Sequence, residues 1–367
     1  MGWSGATVSG DSIFVGSLDG RLVGFNTTSH ERLWENSEDA GWLSKESQVA
    51  IYGTPVVAGD LVYLAGYNGK VYAFLADSGV KDEVYPPEGV LEPIVGGVVA
   101  SQGNIYFGCS DGKVYALDAA ELRYKWDFEP TEWEVAGFEP GQKPEKIWST
   151  PTVDGETIYV TSFDKKLYAL NATDGSLKWV FDEAEGVIVA TPLVYENTIY
   201  IGSFDRHFYA VAASTGSLRW RSEVEGGKWF WARAVAHNNV IYAPNLDGKV
   251  YILNAEDGSQ VTDAVDLGSP ISSDPVLVGD KVVIATEEGE LYFLDTASYQ
   301  KESHLDVRKE TEEVPENVDR EIKAPLSTDD GVVYIKAQTS SEDALYAVDV
   351  ETGDLLWSNS LVTSEGD

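Results

Sequence analysis

Trp148-Ser149-Thr150-Pro151-Thr152-Val153 opens a segment that runs on through Ile158-Tyr159-Val160, Phe163-Asp164 and Leu167-Tyr168-Ala169-Leu170 and closes at Trp179. Its short runs of β-branched and aromatic residues, separated by polar breaks, read as successive strands, because such side chains fit a pleated, half-buried surface. The segment recurs along the chain, and a period of this kind decides the fold before any single element does.

Two anchor pairs occur eight times. The first runs from Ile13-Phe14 through Ile158-Tyr159 to Val333-Tyr334, and the second from Leu22-Val23 through Leu167-Tyr168 to Leu345-Tyr346. Between them lie turns such as Asn68-Gly69, Asp111-Gly112 and Asp247-Gly248. Asn-Gly and Asp-Gly supply the positive φ of a tight hairpin, so each pair of anchors forms adjacent antiparallel strands, B and C. A preceding strand A (Thr54-Pro55-Val56-Val57, Thr191-Pro192-Leu193-Val194) and a following strand D complete a four-stranded unit. Helical periodicity is almost absent, so the class is all-β. Four strands per unit at a period of about 40–55 residues predict an eight-bladed β-propeller of four-stranded antiparallel blades, with residues 1–367 as one domain.

Strand D carries the most specific pattern. Ala-x-Asp-x-x-Thr-Gly-x-x-x-Trp is complete from Ala347 to Trp357, nearly complete from Ala169 to Trp179 and from Ala210 to Trp220, and looser in the stretches ending at Trp126 and Trp34. It resembles the tryptophan-docking repeat of quinoprotein-type propellers, the PQQ-like family, over essentially the whole chain. The resemblance implies that Trp34, Trp126, Trp179, Trp220 and Trp357 pack between neighbouring blades on the Thr-Gly turns. Blades 2, 6 and 7 depart from the pattern, with Glu83, Thr262 and Ser303 at the tryptophan position. Those seams are expected to be held in another way and to be softer.

Four antiparallel strands place the D-to-A and B-to-C connections on one face. The long connections 39–48, 87–93, 129–146 and 308–321 are all D-to-A, which nominates that face for interaction. Trp42, Trp133, Phe138, Trp148, Trp229, Phe230 and Trp231 lie in or beside these connections, with Lys45, Lys143, Lys146, Lys228, Arg233 and Lys323. The densest stretch is 226–233, so Trp148, Lys228, Trp229, Trp231 and Arg233 are the candidate interaction residues. Aromatic and cationic side chains together suit a protein partner or a planar anion. For Trp148 and Trp231, at the starts of A strands, plugging the channel is the competing role.

Charge excludes one class of partner. Asp and Glu number 61 against 26 Lys and Arg, giving a net charge of -35 and a pI near 4.3. Such a field repels nucleic acid and anionic membrane surfaces. It also resembles the acidic surfaces of proteins from salt-loving archaea, where the Debye length falls to about 3 Å near 1 M salt.

Cys109 is the single cysteine, so an intrachain disulfide and a multi-cysteine metal site are both impossible. His30, His207, His237 and His304 sit in separate repeats without ligand spacing, and no hydrolase, zincin or phosphate-loop motif occurs. The resemblance therefore implies the non-enzymatic branch of the family, of the BamB type: a monomeric protein-binding propeller without a cofactor. A dehydrogenase using PQQ with calcium, or a ligand-binding sensor propeller, is the alternative. No segment approaches the roughly 20 apolar residues of a transmembrane helix. Met1-Gly2 directly before a repeat strand suggests a trimmed mature chain, which would mean a cell-surface or extracellular location; a cytoplasmic one stays open.

Overall fold

A computed structural model describes residues 4–18, 20–36, 50–128, 145–223, 227–307, 321–338 and 343–361. Every regular element among them is a strand, and the strands form eight four-stranded antiparallel sheets. Each sheet is one contiguous stretch ordered A-B-C-D, from residues 6–36 in blade 1 to 327–360 in blade 8. The strands that carry the two anchor pairs are adjacent and antiparallel, as expected. In blade 4, strand B (Thr157–Thr161) pairs with strand C (Leu167–Asn171), setting Ile158 opposite Leu170 and Val160 opposite Tyr168.

Strand A starts later than the sequence pattern predicts. It spans Val56–Ala58 in blade 2 and Leu193–Tyr195 in blade 5, leaving Thr54-Pro55 and Thr191-Pro192 outside. Proline has no N–H for the ladder, so pairing begins after it.

The seams between blades follow one rule with four exceptions, three where the tryptophan is missing and one at the closure of the ring. In blade 4, Trp179 Nε1 donates to the Ala213 carbonyl of blade 5 at 3.0 Å, and the strand B hydroxyl of Tyr159 reaches the same oxygen at 3.4 Å. Trp220 and Tyr200 share the Ala255 carbonyl of blade 6 in the same way, at 2.9 and 3.0 Å. The indole of Trp179 lies on Gly216, whose φ is 74° and where an added Cβ would fall 2.5 Å from the ring. Only glycine meets both demands. Trp34 and Trp126 make the corresponding contacts with Gly79 and Gly175.

At two of the three seams that lack the tryptophan the neighbouring turn has changed with it, whereas the blade 8 turn facing Ser303 keeps Gly353 at φ 77°. At the seam of blades 2 and 3, Leu122 stands at the glycine position with φ 43° and buries its side chain in the core cluster that contains Tyr63. The Tyr63 hydroxyl still donates to Ala119 O at 2.6 Å. At the seam of blades 6 and 7, Tyr299 fills the same position with φ 60°, its ring 6.4 Å from that of Tyr242. Bulk on the turn replaces the indole removed from the strand. The seam of blades 7 and 8 has Val283 at the tyrosine position as well as Ser303 at the tryptophan position. There Lys281 Nζ donates to the carbonyls of Val350 and Glu351, each at 3.3 Å.

Closure between blades 8 and 1 uses a different set. Trp357 stacks on His30, with ring centroids 5.1 Å apart, and Asn359 Nδ2 donates to His30 O. Lys336, only 3% exposed, donates to Gly16 O at 2.8 Å and pairs with Asp343 at 3.1 Å. A buried ammonium is tolerated because it is both paired and hydrogen-bonded.

Candidate functional site

The channel mouth on the D-to-A face is built by a repeated five-residue entrance to strand A. A buried Ile or Phe comes first (Ile51, Ile94, Ile147, Ile188, Phe230, Ile271, Ile322), and the next residue faces the channel. That second position holds Tyr52, Val95, Trp148, Val189, Trp231, Ser272 and Lys323 in blades 2 to 8. Two positions further on, neighbouring blades are tied together. Thr54 Oγ1 accepts the N–H of Gly5, Thr150 Oγ1 that of Gly97, and Asp274 Oδ1 that of Arg233, at 3.0, 2.8 and 2.7 Å.

Trp148 and Trp231 line one cavity. The Trp148 indole N–H donates to Ser110 Oγ at 3.2 Å, its ring meets Phe163 edge-on at 4.6 Å, and Lys146 Nζ lies 5.5 Å above it. Trp231 stacks on Phe204 at 5.6 Å. Trp229 covers the other part of Phe204, nearly parallel at 4.4 Å, and is 48% exposed. Lys228 is exposed beside it, while its backbone is clamped by Asn245, which accepts its N–H and donates to its carbonyl, both at 3.0 Å. The five candidates are therefore spread over three levels: Lys228 and Trp229 on the rim, Trp148 and Trp231 in the mouth, and Arg233 deeper.

Phe230 is not a surface residue. It is fully buried in the core of blades 5 and 6, because it takes the Ile position of the entrance repeat. Trp42, Trp133, Phe138, Lys45 and Lys143 lie outside the described residues, as do 39–48 and most of 129–146 and 308–321. Phe204, Asn245 and Asp274 went unnoticed in the sequence. Aligning the repeats on the buried Ile, rather than on the tryptophans, would have exposed Asp274 as a departure from threonine.

Turn carboxylates hold the rest of this face. In blade 5, Asp205 accepts N–H bonds from Glu185, Gly186 and His207 and the hydroxyl proton of Tyr209. Burial pushes Asp205 upward, but these donors outweigh it and keep its pKa below the usual carboxylate range. The Tyr209 hydroxyl is raised, by burial first and by Asp205 next. Burial likewise raises the Cys109 thiol, whose Sγ faces Glu92 O. These residues position loops and are not poised for proton transfer at neutral pH.

Among the described residues, two cavities border the entrance to the A strands and the A strands themselves. The mouth cavity is about 70 Å³, and a second, about 380 Å³, lies between the A strands of blades 5 to 8. The first is well below the ~300–1,000 Å³ of small-molecule sites, and the second falls within it. Neither fits a quinone bound through calcium. Asp274 is the one carboxylate in the walls of either cavity, and the larger has no aromatic ring in its wall to stack on a planar ligand. Calcium takes about 6–8 oxygen ligands. Among the described residues no group of three or more His, Cys, Asp or Glu could hold a metal ion.

Fold and seams define an eight-bladed PQQ-like propeller with an aromatic, cation-bearing channel face. The chain belongs to the family described as outer membrane protein assembly factor BamB, whose sequence profile matches residues 2–128 and 130–359. It is 25% identical to outer membrane protein assembly factor BamB of Shewanella oneidensis over 179 residues, 48% of this chain and 42% of that protein. The chain thus spans under half the length of that relative. With the Bordetella pertussis protein of the same name it is 23% identical over 365 residues, 95% of this chain and 80% of the other. The crystal structure of BamB from Moraxella catarrhalis superposes with a TM-score of 0.70 at 16% identity, covering 91% of each chain. That likeness shows the shared fold.

Proposed function

We propose that this chain is a non-catalytic propeller that binds a protein partner through its D-to-A face. The observation that carries this reading is Trp229: a large aromatic left 48% exposed, yet held rigid by its stack on Phe204 and by the Asn245 clamp. A preordered aromatic beside a cation loses little conformational entropy on binding, which is the character of an interface anchor. Family membership supports the same reading, since relatives carry the name of an outer membrane assembly factor. In this proposal residues 1–367 work as one monomeric propeller at the cell surface, Trp148 and Trp231 fill the channel mouth, and no cofactor is used. The acid excess adds a proposed adaptation to high salt, as in halophilic archaea.

A PQQ-dependent dehydrogenase is the second reading, and one titration separates the two. Adding PQQ and calcium to the purified protein is expected to leave tryptophan emission unchanged, with no dye reduction by alcohols or sugars. Saturable quenching in the micromolar range, about -8 kcal/mol, together with turnover would overturn the proposal.

A further inference from the structure

Arg233 breaks the pattern of the channel ring. The equivalent positions in blades 1 to 5 hold Gly5, Thr54, Gly97, Thr150 and Thr191, so the fold itself does not require a long cation there. What the fold requires is the link between blades, and Asp274 Oδ1 supplies it by accepting the backbone N–H of Arg233. The side chain is left over. Its Nε is buried without a hydrogen-bond partner, and among the described residues no group accepts a bond from the rest of the guanidinium. Arg233 is part-buried, and its terminal N–H groups, unlike the enclosed Nε, can be reached from solvent and are left without a protein acceptor.

The space next to it has the size and chemistry to hold an acceptor. Arg233 and Asp274 both border the 380 Å³ cavity, whose remaining wall includes Val235, Val276, Leu277 and Leu326. Among the described residues, the hydrogen bond that Asp274 accepts is on Oδ1, which leaves Oδ2 available. Burial raises the Asp274 pKa, more strongly than the Arg233 N–H and guanidinium lower it, so this carboxylate gains from a cationic partner. One cation, one carboxylate and an aliphatic pocket, side by side, are complementary to a zwitterion with a hydrocarbon side chain. The mouth cavity shares Asp274 and Pro325 with the deeper one, and these two residues border the path inward.

We propose that the cavity between blades 5 and 8 binds a free aliphatic amino acid, its carboxylate on the Arg233 guanidinium, its ammonium on Asp274 Oδ2 and its side chain against Val235, Val276, Leu277 and Leu326. The site lies inside the channel, below the Trp229 rim. It stands or falls independently of the partner reading.

Calorimetric titration of the purified full chain tests it with three probes: L-leucine, 4-methylpentanoate, which lacks the ammonium, and 3-methylbutylamine, which lacks the carboxylate. Leucine is expected to bind with a Kd below about 1 mM and each analogue at least tenfold more weakly. Arg233→Gln is expected to weaken leucine by tenfold or more. Val276→Phe, which narrows the cavity without touching either charge, is expected to do the same, and circular dichroism confirms that both variants are folded. Heats of dilution alone with the wild-type protein would overturn the proposal. So would unchanged leucine affinity in both folded variants, or equal affinity for 4-methylpentanoate, which would remove Asp274 and the amino acid from the assignment.

Discussion

Replacing Trp179 by alanine is expected to destabilise the protein by about 3 kcal/mol, the lower end of the usual cost of deleting a large aromatic side chain, because the indole is part-buried against the core of blades 4 and 5. Three contacts go at once: the indole bond to Ala213 O, the ring's seat on Gly216, and its packing against Tyr159, 5.8 Å away between centroids. The hole cannot close easily, because Gly216 offers no side chain and its φ of 74° fixes the turn. Tyr159 keeps only its long 3.4 Å bond to the same carbonyl. Urea unfolding followed by circular dichroism measures the loss, and Trp229→Ala serves as the control, expected to cost less than about 1 kcal/mol at its exposed position. A loss below about 1 kcal/mol for Trp179→Ala would mean that the indole does not hold blades 4 and 5 together.

Raising KCl from about 0.1 M to about 2 M is expected to raise the unfolding midpoint progressively, as the Debye length contracts from ~10 Å to about 3 Å. With 61 acidic residues against 26 basic ones, repulsive pairs outnumber attractive ones on the surface. Screening therefore removes more destabilisation than stabilisation. The exposed pairs it weakens, such as Arg123 with Glu121, contribute only ~0–1 kcal/mol each. The Lys336–Asp343 pair is buried and loses little. A midpoint that stays level or falls over this range would remove the high-salt adaptation.

The propeller was legible because its repeat combines two local signals that tertiary structure seldom overrides. Asp-Gly and Asn-Gly turns fix the hairpins, and paired apolar anchors such as Ile158-Tyr159 fix the face each strand buries. Tyr159 stands out in the sequence as part of an anchor pair, but its hydroxyl bond across the seam depends on the position of the next blade and leaves no mark in its own repeat. The substitutions at Leu122 and Tyr299 were similarly hidden. They make sense only beside Glu83 and Thr262 of the preceding blade, roughly 40 residues away.

The candidate site was half legible. Trp148, Trp229 and Trp231 stand out by residue type, yet their separate roles come from alternation along a few residues. Phe230 turns inward at the Ile position, Trp229 and Trp231 turn outward on either side of it, and Phe204 from the neighbouring blade joins the two. Arg233 was singled out for its charge, whereas its partner Asp274 was lost among many carboxylates, because only the ring position distinguishes it.

The most direct test of the protein-binding account is photo-crosslinking in the cells that natively express the chain. Benzoylphenylalanine is placed either at position 229 on the D-to-A rim or at position 256, an exposed residue in the C-to-D turn on the opposite face. A discrete protein adduct from position 229, with none from position 256, is the result the account predicts. Adducts only from position 256, the same adducts from both positions, or none from either would contradict it.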